Sequence, residues 1–233
     1  MGLHNFHKLA FLVLVLCCIP VAHGWGIDGH LIVCRLAQPR LSKSAADAVS
    51  QLLPAYADND LGSLCSWADR VKFRYHWSSP LHYIDTPDNL CTYQYKRDCK
   101  DEDGIEDRCV AGAINNYTTQ LLSYGNGNSA SEYNLTEALL FLSHFIGDIH
   151  QPLHVGFTSD RGANTIDVRW YRRKEVLHHT VWSKQAKAWE ACAKTACPDV
   201  YASEGIKAAC DWAYKEWKKA QLLTTTTFCP VYQ

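Results

Sequence analysis

Apolar residues recur at helical intervals over most of the chain. In 28–38, Leu31, Ile32, Val33, Leu36 and Ala37 fall on a repeat near 3.6 and stop before Pro39, and Ser42 opens a second periodic stretch to Leu53. These two predict a helical pair. Residues 61–75 read as a helix around Trp67. Residues 112–123 put Ile114, Tyr117, Leu121 and Leu122 on one side and give way to a Gly-Asn-Gly-Asn loop near 125–128. From Glu137 to Ile149 the chain is apolar on nearly every side, the pattern of a helix buried in a core, and Pro152 ends it. Strict alternation occurs once, where Ile166, Val168 and Trp170 interleave with Asp167, Arg169 and Tyr171, and Val176 to Trp182 reads as the returning arm of a hairpin. The expected fold is mainly α, a single helical domain with a short β-hairpin.

The N-terminus reads as an export signal. Lys8 precedes the apolar run Leu9 to Ile19, and Ala22-His23-Gly24 supplies small residues for cleavage, so residues 1–24 are expected to leave and Trp25 to become the first residue. The run is shorter than the roughly 20 apolar residues that cross a bilayer, and nothing later resembles a span. The mature domain is then 25–233, and its destination is outside the cell or a vacuolar or other lumenal compartment. With 23 Lys+Arg against 24 Asp+Glu, bulk charge excludes a basic nucleic-acid-coating protein and an acidic disordered chain.

Export changes the reading of the cysteines. Cys34, Cys65, Cys91, Cys99, Cys109, Cys192, Cys197, Cys210 and Cys229 form a disulfide framework with one thiol over, and the absence of any C-x-x-C argues against a cysteine metal site. It also gives meaning to two sequons. Asn116-Tyr117-Thr118 and Asn134-Leu135-Thr136 are expected to lie on the surface as N-glycosylation acceptors.

The chemistry lies in histidines and aspartates set among residues that prefer burial. His144 and Asp148 are four apart on the buried helix and share a face, and His154 follows just past the proline stop. A single such pair is more often a core histidine bonded to a helical aspartate. Here Asp69, in Ser-Trp-Ala-Asp, His82, in Pro-Leu-His-Tyr-Ile-Asp, and His30, in Gly-Ile-Asp-Gly-His, repeat the pattern. A dication lets such carboxylates stay ionised and such imidazoles stay neutral out of water, and zinc suits the mixture best. With His179 the ligand supply supports two or three ions. His76, His150 and His178 read as surface groups or as partners of ligands, and Trp170, Trp182, Trp189 and Trp212 as core. The Lys215–Lys219 patch reads as a solvated helix face.

Taken together, Trp25-Gly-Ile-Asp-Gly-His30, Trp67-Ala-Asp69, Pro80-Leu-His82-Tyr-Ile-Asp85, His144-Phe-Ile-Gly-Asp148-Ile-His-Gln-Pro-Leu-His154 and the hairpin around Gly162–Arg172 resemble the zinc-dependent single-strand nucleases, of the plant bifunctional type, over about 25–182. The resemblance implies a helical fold shared with bacterial zinc phospholipase C and three clustered zincs. It implies cleavage of single-stranded DNA and RNA to 5′-phosphates, with 3′-nucleotidase activity, by a monomer. Position by position, Asp69, His82, His144 and Asp148 resemble ligands of a first zinc. Asp148, His30 and Trp25, through its freed α-amine and carbonyl, resemble those of a second, and His154 and His179 two ligands of a third. Asp69 and Lys72 match catalytic positions, Lys72 standing where fungal members carry arginine. Tyr83 and Asp85 match positions that hold a nucleobase.

Two departures accompany the match. Leu177-His-His179-Thr-Val-Trp-Ser183 carries serine where the family has an aspartate ligand, which leaves the third zinc with two imidazoles, and the segment after 182 skips a largely helical block and ends in a divergent tail. Two other readings therefore stand beside the nuclease: an inactive zinc-binding remnant or splice variant, and a phospholipase C-like zinc phosphodiesterase.

Overall fold

The computed structural model describes residues 26–125, 133–170, 173–180 and 198–215. Its longer helices follow the apolar periodicity. Helix α1 spans Ile27–Ala37 and α2 Lys43–Leu52; Ser42 caps α2 by accepting a bond from the Ala45 amide at 3.3 Å. Short α3 (Trp67–Val71) and α4 (Tyr95–Asp98) precede α5 (Val110–Leu121) and the central α6 (Leu135–Ile149). Asn134 caps α6 through the Glu137 amide at 3.2 Å.

Helix α6 is the axis of the core, as its all-round apolar sequence predicts. Phe141, Phe145 and Ile149 are buried along it. Tyr117 of α5 stacks on Phe141 with ring centres 5.0 Å apart, and Phe141 stacks on Phe145 at 5.5 Å. Helix α8 (Pro198–Ala208), continued by a π-helical turn over Ala209–Ala213, closes the other side with Ala202, Ile206 and Ala209 in the same cluster. A smaller cluster joins Cys34, Val49, Leu53, Leu61 and Leu64 to Leu139 and Leu140.

Disulfides link Cys34 to Cys65, Cys99 to Cys109 and Cys91 to Cys210, so the last ties the α8 end to a distant loop. Cys192, Cys197 and Cys229 lie outside the described residues, as do the proposed leader, Trp25, Trp182, Ser183, Trp189 and the patch after Lys215. No helix among the described residues is long and apolar enough to cross a membrane.

Three expectations change. The stretch 61–75 is not one helix: a 3-10 turn over Leu61–Leu64 stops at Cys65, which the disulfide pins to α1, and α3 starts afresh at Trp67. The hairpin pairs β1 (Asp167–Trp170) with β2 (Arg173–Val176), Asp167 facing Val176. The chain then turns helical as α7 (Leu177–Thr180) instead of running on as strand to Trp182. Trp212 is 48% exposed, not core, because Ala209, Ala213 and Tyr214 fill the buried side of that turn.

Candidate metal centre

Five separate segments deliver side chains to one point beside the C-terminal half of α6. Helical spacing sets His144 and Asp148 one turn apart on its inner face. His30 arrives from the first turn of α1, its ring stacked on His144 at 3.8 Å between centres and 14° between planes. His82 ends the 3-10 segment His76–His82. Beyond it the chain runs beside residues 154–158: the Ile84 amide donates to the His154 carbonyl at 2.7 Å and the Thr86 amide to the Gly156 carbonyl at 3.0 Å. That pairing holds Tyr83 and Asp85 over the same hollow as His154.

Asp148 is the hub. Its fully buried carboxylate lies 3.3 Å from His30 Nε2, 2.9 Å from His82 Nδ1, 3.1 Å from His144 Nε2 and 3.4 Å from His154 Nδ1. Asp69, on α3, brings Oδ1 to 3.7 Å from His144 Nε2 and 3.9 Å from His82 Nδ1, and takes an ion pair from Lys72 Nζ at 2.7 Å. Two groups of potential ligand atoms result, His30 with His144 and Asp148, and Asp69 with His82 and His144. Burial alone would raise the Asp148 carboxyl, but His144 and His154 beside it hold it well below the usual carboxylate range. Asp69 is likewise lowered, the pull of His144 and Lys72 outweighing burial. Burial pushes His82 down to about 4, and lowers His154.

The tautomers fit a cation. His144 donates its Nδ1–H to the Cys65 carbonyl at 2.8 Å, His154 to the His82 carbonyl at 2.7 Å and His178 to the Gly162 carbonyl at 2.6 Å. Each imidazole so fixed carries its lone pair on Nε2 when neutral, the arrangement that orients metal-ligating histidines. The Nε2 of His144 faces carboxylate oxygen; burial lowers this imidazole, but Asp148 and then Asp69 outweigh it and raise its pKa, so a dication bound there would take the place of the Nε2 proton. Buried His30 Nδ1, His82 Nε2 and His154 Nε2 have no hydrogen-bond partner. These donors fit zinc, with neutral imidazoles and ionised carboxylates converging in a closed hollow.

The hollow opens into a cavity of about 660 Å³ lined by His30, Asp69, Lys72, His82, Tyr83, Asp85, Asp148 and His154 among others. All the described expected metal ligands except His179 thus line or floor one pocket, His144 beneath it, together with Lys72, Tyr83 and Asp85. Among the further lining residues, Glu102 and Arg161 were not singled out by the sequence, and His178, read there as a surface group or partner of a ligand, lines the pocket itself. Burial and then Glu102 raise the Asp85 carboxyl to about 6.

His178 is the clearest difference. It is buried, its ring 4.9 Å from that of His154, whereas His179 Nδ1 sits 3.9 Å from Glu175 on β2. Consecutive residues of a helical turn diverge by about 100°, so only one of the pair can face the pocket. The Gln151 side-chain amide, which donates to the His178 carbonyl at 2.8 Å, and the Gly162 carbonyl select His178. The Val181-Trp182 motif aligns with His179; a reading anchored on Leu177 would have found its neighbour. Asn116 and Asn134 are both exposed, as their sequons require.

Comparison with known proteins gives a consistent picture. The family model described as S1/P1 Nuclease matches residues 25–185. Endonuclease 2 of Arabidopsis thaliana is 58% identical over 92% of this chain and 84% of its own length. Nuclease S1 of Aspergillus oryzae is 36% identical over 70% of this chain and 54% of its own length, and Nuclease P1 of Penicillium citrinum 40% identical over 66% and 55%.

Proposed function

This chain belongs to the S1/P1 nuclease family, and from that premise we propose that its pocket is a zinc site for endonucleolytic cleavage of single-stranded DNA and RNA to 5′-phosphates, with 3′-nucleotidase activity. The protein is a nuclease hydrolase of the mainly helical, zinc phospholipase C-like type. The observation that carries the finer reading is Asp148, a single buried carboxylate within 3.4 Å of four imidazoles, at the floor of a cavity that also holds Tyr83 and Asp85.

Asp69, His82, His144 and Asp148 would hold one ion. Asp148, His30 and the α-amino group of Trp25, freed after residue 24, would hold a second, and His154 with His178 a third. When bound, zinc lowers the pKa of water to near neutrality and neutralises charge growing on a phosphoryl group. The chain's own groups do the rest. Asp69 accepts a hydrogen bond from the attacking water and so aims it at phosphorus. Lys72, already held by Asp69, places a positive charge beside the non-bridging oxygens. As the new P–O bond forms, the bond to the 3′-oxygen breaks, and that oxygen takes up a proton while the phosphate stays on the 5′ side. The Tyr83 ring offers a stacking face, and Asp85 accepts from the amino edge of a base. A splayed base is needed to reach both, which favours single strands.

The chain is read as a monomer secreted or delivered to a lumenal compartment. One preparation tests the reading: protein from a secretory host, with its N-terminal residue, bound zinc, and hydrolysis of single-stranded oligonucleotide, duplex and phosphatidylcholine vesicles all measured. Expected are Trp25 at the N-terminus and strong preference for the single strand. Vesicle hydrolysis without strand cleavage would point to the phospholipase chemistry, and zinc without turnover to a remnant.

A further inference from the structure

A second cleft, of about 560 Å³, lies outside the metal pocket. One wall is the face of α5 carrying Gly112, Asn115, Asn116 and Thr119, the spacing of a single helical stripe. Trp77 also lines it, 48% exposed and with its ring stacked on that of Tyr75 at 5.7 Å. The edges of the cleft are already braced. Arg108 donates from Nη2 to the Trp77 carbonyl at 2.8 Å and pairs with Asp101 at 3.0 Å, while the Tyr95 hydroxyl donates to Asp107 at 2.7 Å. An exposed aromatic face rimmed by fixed carboxylates and amides matches the surface of a pyranose, with its apolar C–H face and ring of hydroxyls.

What makes the occupant specific is Asn116. It belongs to a sequon and lines this cleft, exposed, with its side-chain oxygen accepting from Gln120 Nε2 at 3.4 Å, so the amide nitrogen is the atom left to extend. We propose that the N-glycan on Asn116 lies in this cleft, its first N-acetylglucosamine covering the Trp77 indole, so that the sugar completes the surface instead of projecting into solvent. The inference rests on export through the secretory pathway and is independent of the nuclease reading. Asn134 serves as its control, because that asparagine caps α6 and does not line the cleft.

The test is hydroxyl-radical footprinting of Trp77, read by peptide mass spectrometry, on full-length protein from a eukaryotic secretory host. Oxidation of Trp77 should rise several-fold in Asn116→Gln and stay unchanged in Asn134→Gln. It should also stay unchanged when the wild-type glycan is trimmed enzymatically to its first sugar, and rise when the glycan is removed altogether, which covers the case of a poorly folding variant. Occupied Asn134 beside bare Asn116, or Trp77 equally reactive with and without the Asn116 sugar, would overturn the proposal while leaving export intact. Two bare asparagines would overturn it as well, the export reading being judged separately by whether Trp25 is the N-terminal residue.

Discussion

A Cβ placed on Gly147 would fall 2.6 Å from His30 Nδ1, so the α6 backbone at Gly147 is the surface on which the His30 ring rests. In an exposed helix interior, alanine in place of glycine stabilises by about 1 kcal/mol. Here the methyl group must displace the buried His30 imidazole that stacks on His144. Gly147→Ala is therefore expected to lose at least one zinc and most cleavage while its helix content is unchanged. Metal analysis beside circular dichroism checks this, and full zinc occupancy in the variant would reject the role of Gly147.

Asp148→Asn keeps the shape of the hub and removes its charge. Four imidazoles then surround a neutral amide, one whose NH₂ group cannot accept from any of them. Bound zinc should fall, and cleavage of single-stranded oligonucleotide should drop on the order of 100-fold or more, the scale of losing a dedicated transition-state stabiliser. Unchanged zinc and turnover would remove Asp148 from the centre.

Asp85 gives a pH dependence with a definite sign. Its carboxyl is raised from 3.8 to about 6, first by burial and then by Glu102, so between those values the folded chain holds a proton that the unfolded chain has released. That contribution to stability is lost as pH rises through about 6. At the same time the ionised group becomes the better acceptor for a base amino group. Binding of adenosine 5′-monophosphate should tighten as pH rises across 6, and Asp85→Asn should flatten that step. Titration calorimetry at several pH values measures it; an identical step in the variant would assign it elsewhere.

The helix carrying His144 and Asp148 was legible because its apolar surround and four-residue spacing are both local properties, and His30, Asp69 and His82 stood out as ionisable groups among residues that prefer burial. Ser42 caps α2 where the sequence opens that helix, whereas α6 starts at Leu135, two residues before Glu137, with Asn134 as its cap. The break at Cys65 was not legible, since it depends on which cysteine Cys65 meets, and sequence alone does not fix connectivity. Nor was the helical turn after Val176. Val181 and Trp182 suit a strand, yet contacts from Gln151 and Gly162, distant in sequence, bend Leu177–Thr180 into a helix. The same contacts decide which histidine enters the pocket.

The choice of His178 decides how a third ion would be held. His154 and His178 each donate Nδ1–H to a backbone carbonyl, leaving two Nε2 lone pairs on rings 4.9 Å apart, while His179 turns toward Glu175. Two neutral imidazoles hold a zinc more weakly than a site with a carboxylate. Dialysis against a mild chelator should therefore remove this third ion first. His178→Ala should abolish its binding with the other ions retained, and lower cleavage by about 100-fold; His179→Ala should change neither. Gly162→Ala supplies an independent route to the same outcome, because its Cβ would fall 2.2 Å from the Leu153 carbonyl at a φ of +61° and so shift the oxygen that orients His178. Ser183→Asp, adding the carboxylate that the resemblance implies there, should make the proposed third ion resist dialysis. Loss of that ion in His179→Ala and its retention in His178→Ala would return the ligand role to His179.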